Sequence, residues 1–147
     1  MFKKMIILCA SLLIPFILFA KPILVELNQT GCQFLEPEKT DHKYAPKKSL
    51  DCKEINRKTS DQRMETVKPL KLKAGKYVFR VKNKNVPYPL GFWFRGTGLK
   101  RIFLPSVSGG GIKTGATKDY EIDLKPGTYI YSCPLNPTPN YPVIVEE

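Results

Sequence analysis

The sequence predicts an all-β protein: a Greek-key β-sandwich of seven or eight short strands with one short helical insertion. Three observations carry this expectation. From Pro69 onward, apolar residues recur with a period of two, the pattern of strands that bury one face. Turn-forming pairs such as Ala74-Gly75 and Pro126-Gly127 interrupt these runs at short intervals. The chain holds 13 prolines and shows no sustained helical apolar stripe, which disfavours long helices.

Each element follows from its residues. Ile23, Val25 and Leu27 alternate with Leu24 and Glu26, giving a first strand over 22–28. Thr30-Gly31-Cys32 turns the chain into a short second strand at Gln33 and Phe34. Residues 36–68 differ in composition: they are charged, poor in β-formers and hold the sole histidine, His42. This stretch is expected to be an insertion beside the sandwich. Within it, Asp51 is expected to cap a helix through Lys58, with Glu54 as its capping-box partner. Ser60 starts a further turn, and Met64 faces inward.

Leu70 and Leu72 alternate with Lys71 and Lys73, and Tyr77, Phe79 and Val81 alternate with Val78, Arg80 and Lys82. Apolar runs at 89–94 and 99–104 read as two more strands. Residues 107–115 are rich in glycine and read as an irregular loop. Tyr120, Ile122 and Leu124 against Asp119, Glu121 and Asp123 form the cleanest alternation in the chain. After Pro126-Gly127, Tyr129, Tyr131 and Cys133 share one face of a strand. Tyr141, Val143 and Val145 share one face of the last.

The first 20 residues read as a cleaved export signal. Lys3 and Lys4 precede an apolar run, and Leu18-Phe19-Ala20 offers a cleavage site. Residues 21–147 then form one domain, expected to be periplasmic or secreted and monomeric. The 147-residue chain has a formal charge of +11, with much of the excess between Lys39 and Lys84. Such a surface suits an acidic envelope protein or an anionic membrane surface. Export and the lack of interleaved aromatic and basic motifs argue against nucleic acid.

Three cysteines follow the export signal: Cys32, Cys52 and Cys133. Oxidising compartments permit three pairings, each leaving one thiol. Cys32 and Cys52 flank one polar segment and are the expected pair.

The end of the chain carries a resemblance. A Thr- and Tyr-rich strand runs into Cys133, a Pro/Asn loop follows, and a short apolar strand comes after it. Earlier, Asn83-Lys84-Asn85-Val86-Pro87-Tyr88 follows a strand, and Pro126-Gly127-Thr128-Tyr129 makes a turn. In order and spacing, the stretch from Pro69 to Glu147 resembles the cupredoxins, the β-sandwich family that holds blue copper. The resemblance implies a free Cys133 as copper ligand, with Tyr88 standing where the first copper histidine is expected. In the family, the loop after the cysteine carries a histidine and a methionine. Here residues 134–142 hold neither.

A blue-copper centre takes two imidazoles and a thiolate. One histidine cannot supply two. The expected role is therefore a metal-free or degenerate-site binding module, not an enzyme, with no cofactor required. The alternative is a periplasmic copper-handling or electron-transfer protein that binds copper through Cys133 with unusual ligands, among them His42. Phe92 and Tyr131 read as core. Tyr88, Trp93, Asn136 and Tyr141 are the candidates for a surface that meets a partner or ligand.

Overall fold

The computed structural model describes residues 21–147, so the expected export signal lies outside the described residues. Two sheets face each other. The first holds β1 (Ile23–Thr30), β2 (Gln33–Phe34), β4 (Gly75–Asn83) and β7 (Thr117–Leu124) in the order β2-β1-β4-β7. The second holds β3 (Leu70–Lys73), β5 (Leu90–Gly96), β6 (Val107–Ile112), β8 (Gly127–Ser132) and β9 (Tyr141–Glu146) in the order β3-β9-β8-β5-β6. The count among the described residues is nine strands, not seven or eight. Among those residues no helix is long and apolar enough to cross a membrane.

The period of two sets the core. Phe79 of β4 lies opposite Tyr120 of β7, and Tyr131 of β8 opposite Tyr141 of β9. Their inward faces meet Phe92 and Phe94 of β5, all fully buried or nearly so. The result is a core of rings: Phe79 and Phe94 at 4.8 Å, Phe92 and Tyr120 at 5.1 Å, and Phe34 edge-on to Tyr131 at 5.1 Å. Offset and edge-on contacts of this kind add to the stabilisation from buried area alone.

One five-residue device occurs twice. In Lys73-Ala74-Gly75-Lys76-Tyr77 and Lys125-Pro126-Gly127-Thr128-Tyr129, the tyrosine hydroxyl donates back to the carbonyl of the lysine, at 2.9 and 2.7 Å. Gly75 and Gly127 adopt φ of +144° and +158°, and glycine takes such values readily. Each device pins the chain where it enters a strand, while the tyrosine ring goes to the core.

The insertion departs from expectation in length and cap. The helix spans Ser49–Met64 (α2), preceded by the single turn Leu35–Glu38 (α1). It runs through Ser60 without a break. Asp51 lies inside the first turn rather than before it, and its carboxylate accepts from the backbone N–H groups of Lys47 and Lys48 at 2.8 and 3.1 Å. Those bonds hold the Asp51 carboxyl below its ordinary pKa. Met64 packs against the core as expected.

Two further segments differ from expectation. Residues 99–104 contain a 3-10 turn, Arg101–Phe103, and no strand. Gly98 takes φ of +71° and bends the chain outward, and β6 occupies the sheet edge beside β5 instead. The glycine-rich stretch pairs with β5 as that strand, and glycine suits it because the backbone runs close under neighbouring side chains. A Cβ on Gly109 would stand 3.0 Å from the Tyr120 ring, and one on Gly110 3.2 Å from Leu135.

Cys32 and Cys52 form a disulfide that fastens α2 to the end of β1, as expected. The sequence separation is 20. Closing a loop of that length stabilises by roughly 3 kcal/mol in the chain-entropy treatment. Cys52→Ser paired with Cys32→Ser is expected to lower the unfolding free energy by about that amount, read from urea titration. An unchanged midpoint would show that α2 is held by its other contacts alone.

Candidate functional site

The end of the sandwich that carries Cys133 is assembled from segments far apart in sequence. Asn83 ends β4 and is wholly buried. Its side-chain amide donates to the carbonyls of Val86, Tyr88 and Ile112 at 3.1–3.2 Å, and its Oδ1 accepts from Val86 N–H at 2.9 Å. One asparagine thus shapes the turn that delivers Tyr88. On the other side, β8 ends and the chain enters the 134–140 loop. Cys133 N–H donates to Thr138 Oγ1 at 3.0 Å, and Thr138 N–H donates to the Cys133 carbonyl at 3.3 Å.

The Cys133 thiol is free and buried. Its sulfur accepts from the N–H groups of Gly91 and Asn136 at 3.3 and 3.2 Å. Burial pushes the thiol pKa up, and the N–H bonds oppose that shift without overcoming it. Cys133 is therefore a protonated, enclosed thiol in the native state. A thiol reagent at pH 8 is expected to leave it unlabelled until denaturant is added. Stoichiometric labelling of the folded protein would contradict this.

Asn136 is the keystone of this pole. It has no exposed surface. Its Oδ1 accepts from Cys32 N–H at 3.1 Å and from the Tyr88 hydroxyl at 3.2 Å, and its Nδ2 donates to the Thr30 carbonyl at 3.0 Å. Cys52 Sγ lies 2.9 Å from the same Oδ1. A disulfide sulfur has no proton to donate, so this is a close contact and not a hydrogen bond. Burial first, then the nearby charge that Cys133 and Asp51 would carry, pushes the Tyr88 phenol up to about 12. It is a neutral donor at any ordinary pH.

A second polar cluster lies on the insertion side. Glu38 is buried, its side chain 1% exposed, against Arg63 at 5%. Arg63 makes a two-pronged pair with it: Nε to Oε2 at 2.8 Å and Nη2 to Oε1 at 2.6 Å. The Tyr141 hydroxyl donates to Glu38 Oε1 and accepts from Phe34 N–H at 3.2 Å. His42 Nε2 lies 2.9 Å from Glu38 Oε2. Burial and the Glu38 carboxylate push the Tyr141 phenol up. Arg63 also donates to the Cys32 carbonyl at 3.2 Å, joining this cluster to the disulfide.

The structure sorts the predicted residues into three groups. Cys133, Tyr88 and Asn136 come together with the Cys32–Cys52 disulfide. His42 does not join them; its partners are Glu38, the Gln33 side chain and the stacked Tyr44 ring. Of the four residues expected on a partner-facing surface, Asn136 and Tyr141 are fully buried, Tyr88 is half-buried and Trp93 is 41% exposed. Asn136 and Tyr141 are thus internal hydrogen-bonding groups, because each satisfies backbone N–H groups that packing has removed from water. Phe92 and Tyr131 are core, as read.

Glu38, Arg63 and Gln29 are absent from the sequence reading. Gln29 is wholly buried and its Nε2 donates to the Gly91 carbonyl at 2.8 Å. Polar residues in a charged insertion, or at the end of a strand, carry no sequence signal that distinguishes them from solvated ones.

Copper, the metal that the resemblance implies, does not fit the residues gathered here. Among the described residues no three His, Cys, Asp or Glu side chains are grouped to hold a metal ion. The pole that holds the thiol contains the Asn136 amide and the Tyr88 phenol and no imidazole, whereas a blue-copper centre takes two imidazoles. The amide and the phenol are bonded to each other, and the amide's other groups are engaged by backbone.

No family model and no curated protein matches the sequence. Among solved structures the chain is similar to auracyanin B, with a TM-score of 0.51 and 12% identity over 88% of this chain and 93% of that one. An oxidised amicyanin mutant aligns with a TM-score of 0.42 and 16% identity, covering 87% and 86% of the two chains. The chain has a cupredoxin-like fold.

Proposed function

We propose that this protein is a non-enzymatic, metal-free accessory module of the cell envelope, exported to a periplasmic or secreted location and acting by binding a partner. The observation that supports this is the Tyr88–Asn136 hydrogen bond beside the buried Cys133 thiol. It turns the end of the fold that would hold copper into a closed structural joint. The disulfide that covers this joint is at home in an oxidising compartment. The one histidine is engaged by Glu38, away from Cys133, so no base serves the thiol as a nucleophile.

Metal titration tests the reading. Adding Cu(II) to the purified protein is expected to give no intense blue absorption. Any Cu(I) uptake should be weak and should vanish in Cys133→Ser. His42→Ala should leave it unchanged, since His42 and Cys133 share no contact. A stoichiometric blue centre in the wild-type protein would overturn the reading. Tight Cu(I) binding dependent on Cys133 would replace it with copper handling.

A further inference from the structure

The segment between β5 and β6 carries a surface that the fold does not need. Leu99 is fully exposed, Ile102 is 76% exposed and Phe103 is 73% exposed. Lys100 and Arg101 are exposed between them. At the root of the segment, the Arg95 guanidinium lies 3.8 Å from the centre of the Trp93 ring. None of the residues between Glu65 and Asp119 is acidic. Thr97, bonded to Thr128 through its N–H and its hydroxyl, and Leu104 fasten the two ends of the segment. A Cβ on Gly96 would stand 2.7 Å from the Leu104 side chain and one on Gly127 3.0 Å, so two glycines make its seat. The three apolar side chains before it are held out in water.

We propose that this tip inserts shallowly into an anionic lipid bilayer. Leu99, Ile102 and Phe103 enter the acyl boundary, while Lys100 and Arg101 lie at the level of the lipid phosphates; Arg95 stays bonded to Ser132 and Asn140. An exposed apolar patch flanked by cations fits both demands of such an interface. The geometry favours a bilayer over a protein. Side chains this exposed project from the surface, and lipid receives projections without a preformed pocket. A specific protein partner buries about 800 Å² on each side, more than a turn of five residues offers. The proposal names the partner of the binding module described above and rests on that reading. The tip follows Gly96, whereas the Cys133 contact is made by Gly91 at the other end of the same strand. Loss of lipid binding and failure of the copper expectation are therefore separate results.

The test is sedimentation of the purified protein with vesicles, either phosphatidylcholine alone or a mixture with phosphatidylglycerol. The protein is expected to sediment with the mixed vesicles and to remain in solution with phosphatidylcholine alone. Trp93, the sole tryptophan, reports the contact as a blue shift in emission. Ile102→Asp with Phe103→Asp should abolish sedimentation. Lys100→Gln with Arg101→Gln should weaken it about 25-fold, since each basic residue near an anionic surface contributes about five-fold. Leu50→Asp, at an exposed apolar residue of α2, should change nothing. Unchanged thermal unfolding of the tip variants would show that the loss is one of docking. The proposal is overturned if the wild-type protein ignores anionic vesicles, or if the aspartate variant binds as well as wild type. It is also overturned if the same substitutions instead dissolve a self-associated form, which would make a second copy the occupant.

Discussion

Arg63→Ala is expected to destabilise the protein by about 3–5 kcal/mol, the usual cost of leaving one member of a buried ion pair alone. The substitution removes both bonds to Glu38 and strands the carboxylate in a site where it is 1% exposed. It also removes one of two donors to the Cys32 carbonyl, Asn56 Nδ2 being the other. Tyr141 and His42 would remain beside Glu38, and neither carries the fixed positive charge of a guanidinium. Replacing the pair together, Glu38→Leu with Arg63→Met, should cost less than Arg63→Ala alone, because no uncompensated charge is then buried. Urea unfolding measures both, provided the slope is unchanged. A loss below about 1 kcal/mol for Arg63→Ala would mean that water reaches Glu38, contrary to its enclosure.

Asn136→Ala is expected to cost about 3–5 kcal/mol. Three groups lose their partner at once: Cys32 N–H, the Tyr88 hydroxyl and the Thr30 carbonyl. Each such loss costs about 1–3 kcal/mol where water cannot enter. Asn136→Asp adds a sign that can be checked. Its carboxyl would keep the two bonds to Oδ1, but its other oxygen would face the Thr30 carbonyl. Burial and that carbonyl raise its folded-state pKa above the unfolded value. The folded state then binds the proton more tightly, so stability is greatest below the unfolded pKa and is lost as pH rises through the folded one. The aspartate variant should therefore be more stable at pH 4 than at pH 7, relative to wild type. A variant equally stable at both would show that the site is wet.

The strands and their faces were legible because burial on one side forces a period of two, and that period is written in Tyr77, Phe79 and Val81 and in Tyr120, Ile122 and Leu124. The disulfide and the free Cys133 were legible as well. What escaped was decided by neighbours distant in sequence. Residues 99–104 are as apolar as a strand, but the sheet edge they would have used belongs to a glycine-rich segment with little local preference for it. Asn136 looks like a loop residue in the sequence, and Tyr141, though on one face with Val143 and Val145, directly follows that loop; their polar groups are enclosed by Cys32, Phe34 and Glu38, far away in sequence. Glu38 and Arg63 lie 25 residues apart, and nothing local distinguishes them from the solvated charges on either side.

The place of β9 bears on the order of events during folding. It lies between β3 and β8 and pairs with both, parallel to one and antiparallel to the other. Its Tyr141 also closes the Glu38 cluster from below. The five-stranded sheet therefore cannot be completed while Tyr141–Glu146 is still being made or threaded through a pore. Until that moment β3 has no neighbour in its sheet, and the Tyr131 ring lacks the Tyr141 ring that packs beside it. Contacts so far apart in sequence form slowly. The four-stranded sheet, whose last strand ends at Leu124, needs nothing from β9, so the two sheets become possible at different lengths of emerged chain.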